Sequence, residues 1–260
     1  TPRTKALIAV DYAGQPCDWD ALRALADRRG LALAADGCHA LGATYAGRPV
    51  GSLADLTCFS FHPVKHIATG EGGAVACADP ERAARIRRLR NHGITTDWAQ
   101  REKQGGWFYE MEELGFNYRL TDLQCALGLS QLGRLPVWLA RRRELAARYA
   151  RLLAGMARVE PLALLSDREH AWHLYVVQLA PDLDRGRVFA AMRQAGIGVN
   201  VHYVPVHLHP YYRRRFGHGP GLCPAAESAY GRILSLPMYP GLSDADQDRV
   251  VEALVRSLEA

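Results

Sequence analysis

Cys58-Phe-Ser-Phe-His-Pro-Val-Lys-His-Ile-Ala-Thr-Gly-Glu-Gly-Gly-Ala-Val-Ala76 joins two short apolar runs through a glycine-rich turn, and that turn carries Lys65. Most loop lysines are solvated, and lysine is almost never fully buried. An amine beside an apolar strand and a tight turn is different. Burial disfavours its charged form, lowers its pKa and leaves a neutral amine able to attack a carbonyl. The chain has only three lysines and otherwise carries its positive charge on arginine. The residues around Lys65 decide which meaning applies.

Working outward, the first half alternates apolar runs with helical patterns. Ala6 to Val10, Leu31 to Ala35, Leu56 to Phe61 and Gly73 to Ala78 read as strands. Asp18 opens a helical pattern that ends at Gly30, and Asp79-Pro80 opens another that stops before Gly93. Both starts have the cap residue a helix N-terminus needs, and the second adds a first-turn proline. Continuous rather than alternating apolar runs predict strands buried on both faces, hence a largely parallel α/β sheet. Residues 91–118 read as irregular, a loop long enough to be functional or packed on a partner. Thr121 caps a further helix, and a longer one is expected from Pro136 to about Gly155.

After Met156 the character changes. Trp172 to Leu179 and Gly198 to Tyr203 read as strands, Asp184 to Ala195 as a helix, and Ser243 opens a final amphipathic helix. The expected organisation is a large domain over residues 1–135 and a smaller α+β domain over residues 136–260.

Composition sets the class. Of 260 residues, 48% are hydrophobic and 23% charged, as in ordinary globular proteins. No run of about 18 uncharged apolar residues occurs, so no membrane span is expected. Six scattered cysteines (17, 38, 58, 77, 125 and 223) with no CxxC pair argue for reduced thiols in the cytoplasm, against a disulfide frame or a zinc site. His207-Leu-His209 lacks a third ligand for a metal. The net charge of +5 includes the runs Arg141–Arg143 and Arg213–Arg215, read as mostly solvated helix faces. No aromatic-interleaved basic motif accompanies them, so nucleic acid is not an expected partner.

Three side chains at strand ends form a set. Asp36 follows the second apolar run, where α/β sheets place ligand-binding groups. Ser60 ends the next run, five residues before Lys65. A carboxylate for a protonated ring nitrogen, a hydroxyl for a phosphate and an amine for a carbonyl are what pyridoxal 5'-phosphate (PLP) requires. His39, three residues after Asp36, reads by itself as a hydrogen-bonded core histidine.

Asp36-Gly-Cys-His-Ala-Leu-Gly-Ala, Phe59-Ser-Phe-His-Pro-Val-Lys-His-Ile-Ala-Thr-Gly-Glu-Gly-Gly, Gly115-Phe-Asn-Tyr-Arg-Leu-Thr-Asp-Leu-Gln and Ser235-Leu-Pro-Met-Tyr-Pro-Gly-Leu-Ser resemble the DegT-type sugar-nucleotide aminotransferases of PLP fold type I. Within that family, Val10-Asp-Tyr-Ala-Gly-Gln-Pro, Ala171-Trp-His-Leu-Tyr and Val201-His-Tyr-Val-Pro-Val-His are similar to the transaminase subgroup of pseudaminic-acid biosynthesis.

The resemblance implies that Lys65 is the catalytic lysine and carries the cofactor. Asp36 would face the pyridine nitrogen, His39 the cofactor's phenolic oxygen and Ser60 the phosphate. Asn117 would reach the phosphate in a neighbouring subunit, as part of a homodimer with shared sites. Arg119, His202 and Tyr203 would lie near the sugar nucleotide. The implied reaction aminates C4 of a UDP-linked 4-keto-6-deoxy sugar with glutamate as donor. An aminotransferase acting at C3 or on another sugar, and a non-catalytic relative, stand as alternatives. Retention of Lys65, Asp36 and Ser60 together speaks against the latter.

The family's N-terminal part, with its phosphate cup and ring-stacking aromatic, has no counterpart here. The expectation is a partial large domain, part of a longer protein, whose sheet shows open edges and an exposed apolar face and which by itself binds PLP weakly or not at all.

Overall fold

The computed structural model describes residues 1–96, 98–103 and 105–259. They form two compact units, residues 1–12 with 16–135 and residues 13–15 with 136–259.

In the first unit, β1 (Ala6–Val10) leads to α1 (Trp19–Arg29), then β2 (Ala32–Asp36), a small hairpin of β3 (Thr44–Tyr45) and β4 (Arg48–Pro49), β5 (Leu56–Ser60) and β6 (Gly73–Ala76). Helices α2 (Pro80–Leu89), α3 (Trp98–Lys103) and α4 (Asp122–Leu132) follow. The main sheet has the order β1-β2-β5-β6. β1, β2 and β5 run parallel, and β6 pairs antiparallel with β5. The sheet is therefore mostly parallel, as the apolar runs predicted.

Local chemistry sets the helix ends. Asp18 accepts the Ala21 N–H at the start of α1, and Gly30 closes it in the left-handed conformation. Asp79 caps α2 and Thr121 makes a capping box with Gln124 on α4. α1 packs on β1 and β2, where Leu33 and Ala35 are buried together with Trp19 and Ala26.

Burial of the strands on both faces does not hold. Ile8 is 74% exposed and Val10 50%, and the residues of β1 alternate between exposed and half-buried. An apolar run records that a face needs cover, not which chain supplies it. The other face of this sheet is not covered by the described residues. The loop expected at 91–118 also contains α3, a short helix without apolar periodicity.

All but the first residue of α5 (Leu135–Leu152) belongs to the second unit, followed by β7 (Val159–Pro161), the two-residue β8 (Arg168–Glu169), β9 (Tyr175–Leu179) and α6 (Arg185–Gln194). It ends with α7 (Pro210–Phe216), α8 (Pro224–Arg232), β10 (Ile233–Leu236) and α9 (Asp244–Glu259). β10, β9 and β7 form an antiparallel sheet. Leu145 and Tyr149 of α5, Met192 of α6 and Leu254 of α9 join Tyr175, Val177 and Leu234 of that sheet in one buried core.

Three expectations are corrected in this unit. Residues 198–203 form no strand: Asn200 exchanges two backbone hydrogen bonds with Ser235, and the chain then leaves the edge of β10. β9 starts at Tyr175, because Trp172 has φ of 52°, incompatible with a strand. The Arg141–Arg143 run is not all solvated. Arg142 is 5% exposed, on the α5 face that also carries Leu135, Leu139, Ala146 and Tyr149 at helical spacing. Its guanidinium donates from Nη1 to the carbonyls of Trp172, Met238 and His173 at 2.9, 3.1 and 3.4 Å.

Candidate active site

The C-terminal ends of the three parallel strands bring acids and hydroxyls to one edge. Asp36 ends β2, in register with Val10 of β1 and Cys58 of β5. Its Oδ1 accepts the backbone N–H of Cys38 at 3.1 Å, which turns the chain tightly at Gly37. Ser60 ends β5, and its Oγ accepts the His62 N–H at 3.3 Å.

Lys65 sits half-buried in the turn that follows. Its backbone N–H donates to His62 O, Phe61 N–H to Gly72 O, and Thr69 N–H to Phe61 O, so the turn is closed on itself. Gly72 has φ of 155°, and a Cβ there would collide with the Thr69 hydroxyl and lie 2.8 Å from Leu120 Cδ2. α4 braces the turn from outside: Gln131 Oε1 accepts the Ala68 N–H at 2.8 Å, and Gln124 Nε2 donates to Glu71 O at 2.9 Å. Sequence reasoning missed both glutamines. Their spacing of seven, two turns on one helix face, was the signal available.

Burial lowers the Lys65 pKa, while Cys38 and Asp36 pull in the opposite direction. Burial also pushes the Cys38 thiol up to about 12, aided by its hydrogen bond to Asp36 and the charge on that carboxylate. Asp36, Cys38 and Lys65 thus form one electrostatic cluster. A second carboxylate adjoins it. Asp11, fully buried, donates its backbone N–H to Asp36 O at 3.0 Å. Its Oδ1 accepts from Cys17 N at 2.8 Å and Trp19 Nε1 at 3.0 Å. Burial pushes Asp11 up to about 6 against those hydrogen bonds. His39 is buried, with its ring 6.3 Å from that of Tyr12.

The other expected site residues have local partners of their own. Asn117 and Arg119 are exposed; Asn117 bridges Asn91, and Arg119 donates to Asn91 Oδ1 at 2.7 Å. Among the described residues no hydrogen bond or ion pair joins either to Asp36, Ser60 or Lys65. His202 and Tyr203 belong to the second unit, where His202 Nδ1 lies 2.8 Å from Ser235 Oγ and the two rings meet edge to face at 4.8 Å. His207, the first of the His207-Leu-His209 pair, is 2.7 Å from Glu227 Oε1. No group of three or more His, Cys, Asp or Glu side chains that could hold a metal occurs among the described residues. No described helix is long and apolar enough to cross a membrane.

Against known proteins, residues 1–255 match the DegT/DnrJ/EryC1/StrS aminotransferase family. The chain is 42% identical over 259 residues to the spore coat polysaccharide biosynthesis protein SpsC of Bacillus subtilis, spanning 98% of this chain and 67% of that protein. Its fold superposes on PseC of Helicobacter pylori, an aminotransferase involved in the biosynthesis of pseudoaminic acid, with a TM-score of 0.92 and 31% identity, covering 99% of this chain and 67% of that one. It is likewise similar to Spr1654 of Streptococcus pneumoniae, assigned as a sugar aminotransferase and solved in a PLP form, with a TM-score of 0.91, 32% identity, and coverage of 100% and 69%.

Proposed function

Because the chain belongs to the DegT/DnrJ/EryC1/StrS aminotransferase family, whose members are PLP-dependent sugar aminotransferases, we propose that it moves an amino group from glutamate to C4 of a UDP-linked 4-keto-6-deoxy sugar. In this reading the product feeds a pseudaminic-acid-type surface glycan. The likeness to PseC supports that finer assignment.

The observation that carries the reading is the half-buried Lys65 amine, lowered in pKa beside Asp36 at the ends of parallel strands. The donor set suits PLP. Lys65 supplies the amine that holds the aldehyde, Asp36 a carboxylate for a protonated ring nitrogen, and Ser60 a hydroxyl for the phosphate. His39, buried three residues beyond Asp36, is placed in this reading near the phenolic oxygen, and residues 1–135 serve as the cofactor-binding part. When bound, PLP supplies an electron sink for the bond-breaking at the amino-acid α-carbon.

The chain's own contribution is positioning and proton movement. The Cys38 N–H fixes Asp36 Oδ1, so the carboxylate presents one orientation. A lowered pKa makes neutral Lys65 Nζ more abundant, so it can accept a proton as base and return it as acid. The turn closed by Phe61, Thr69 and Gly72 and braced by Gln131 limits where Nζ can move. Arg119, His202 and Tyr203 are proposed to contact the sugar nucleotide.

We infer further that two copies pair through α4 and the segment before it. Trp107, Leu114, Leu123 and Leu129 are 85%, 84%, 84% and 72% exposed, an apolar surface that needs a partner. Asn117 lies within it and would reach the other copy's cofactor phosphate.

The test is isotope transfer in the gene product that carries these residues. Nitrogen-15 glutamate, PLP and the UDP-linked 4-keto sugar should give a product whose labelled nitrogen NMR places at C4. Nitrogen at C3, or no transfer with an intact PLP band, would overturn the C4 assignment. Lys65→Ala should lose both the borohydride-sensitive absorbance band and turnover.

A further inference from the structure

The peptide unit between Asp36 and Gly37 is gripped from both sides. Asp11 N–H donates to Asp36 O at 3.0 Å, and Gly37 N–H donates to Cys58 O at 2.9 Å. The neighbouring strand ends thus fix the main chain of the carboxylate assigned to the ring nitrogen.

Asp11 brings more than its N–H. Val10, in register with Asp36, is 50% exposed on the open face of the sheet. Successive side chains of a strand point to opposite faces, and Asp11 is fully buried, bonded to Trp19 of α1. Its Oδ1 accepts from Cys17 N at 2.8 Å and Trp19 Nε1 at 3.0 Å. Its Oδ2 is buried and has no hydrogen-bond partner among the described residues. No cation is among the groups that shift its titration.

A buried carboxylate with one oxygen unsatisfied is costly. An amide would make both Oδ1 bonds without that cost, so an anchor for the fold has no need of the charge. The other acid that acts on Asp11 is Asp36, whose charge opposes a second one nearby. A cation seated on Asp36 relieves both. We propose that Asp11 is a positioning residue for the cofactor ring: its N–H fixes the Asp36 main chain, and its carboxylate, behind the sheet, favours a protonated ring nitrogen on Asp36. The proposal rests on the PLP reading above. Charges separated by protein rather than water are weakly screened, so Asp11 acts through the sheet without touching the ring.

The experiment uses the gene product loaded with PLP that carries nitrogen-15 in its ring, read by NMR across a pH titration. At pH 8 Asp11 is ionised, because burial raises its pKa only to about 6. Asp11→Asn keeps an oxygen for Cys17 N and Trp19 Nε1 and removes the charge. It should move the ring signal toward neutral pyridine and lower the ring's titration midpoint by about one unit. Trp19→Phe takes a donor from the same anchor and leaves the charge, so its ring signal should match that of the unaltered protein. The other titratable groups around the two acids, Cys17, Cys38 and Lys65, are common to all three proteins. An unchanged midpoint in Asp11→Asn, or equal shifts in both variants, would overturn the proposal while leaving the transaminase reading intact. Absence of the borohydride-sensitive band from the unaltered protein would overturn that reading and this proposal with it.

Discussion

Gln131 of α4 accepts the backbone N–H of Ala68 at 2.8 Å, so a helix 63 residues downstream holds the turn that carries Lys65. The amine's position therefore depends on a side chain far from it in sequence. Gln131→Leu removes that acceptor and leaves a part-buried amide unsatisfied, at a cost of roughly 1–3 kcal/mol. Amides of residues 61–72 should exchange faster in the variant by hydrogen-exchange mass spectrometry. Unchanged exchange there would mean the turn holds itself.

Lys65 should titrate below the ordinary lysine value of 10.5, since burial disfavours its charged form. The neutral amine then persists to lower pH. Labelling with trinitrobenzenesulfonate as a function of pH, read at each lysine by mass spectrometry, gives the midpoint. A Lys65 midpoint at or above the ordinary value would contradict the burial seen here.

Asp11 gives a pH window of opposite origin. Its folded pKa is raised from 3.8 to about 6, so the folded state holds its proton more tightly than the unfolded chain. Stability from this group is fully present below the unfolded value and is lost as pH rises through the folded one, by roughly 2–3 kcal/mol in total. Asp11→Asn keeps an oxygen for Cys17 N and Trp19 Nε1 and has no charge to bury. Urea unfolding of both proteins between pH 4 and pH 7 should show the variant gaining relative stability with rising pH. A constant difference across that range would rule the effect out.

Arg142 is a buried cation whose guanidinium bonds three carbonyls, and no carboxylate pairs with it among the described residues. Burial lowers its pKa to about 10, which leaves it charged at neutral pH. Arg142→Met strands the carbonyls of Trp172 and Met238 and should destabilise the chain by roughly 3 kcal/mol. Arg142→Lys should not restore it, because a point ammonium lacks the planar fork. Equal stability of the lysine variant and the unaltered chain in denaturant titrations would show that charge alone suffices.

Much of the first unit was legible because its signals are local. Asp18, Asp79 and Thr121 cap their helices through side chains two or three residues from the amides they bind. β1 spans the expected Ala6–Val10, since a short apolar run between turns leaves few other conformations. The placement of Asp36 and Ser60 at strand ends was legible because apolar runs mark where parallel strands stop, and such ends share one sheet edge. Residues 198–203 misled, because a strand needs a partner along its length and this segment meets β10 at one residue.

The sequence by itself determined that a carboxylate and a hydroxyl end parallel strands and that a lysine lies in the turn just beyond. Spacing and strand propensity are properties of the chain alone. The tertiary structure decided how that lysine is held and charged: Gln131 braces its turn, burial lowers its pKa, and Asp11 stands buried behind Asp36. It also decided that one arginine of a charged run turns inward. Such outcomes depend on which distant surfaces meet, and desolvation is set by that meeting.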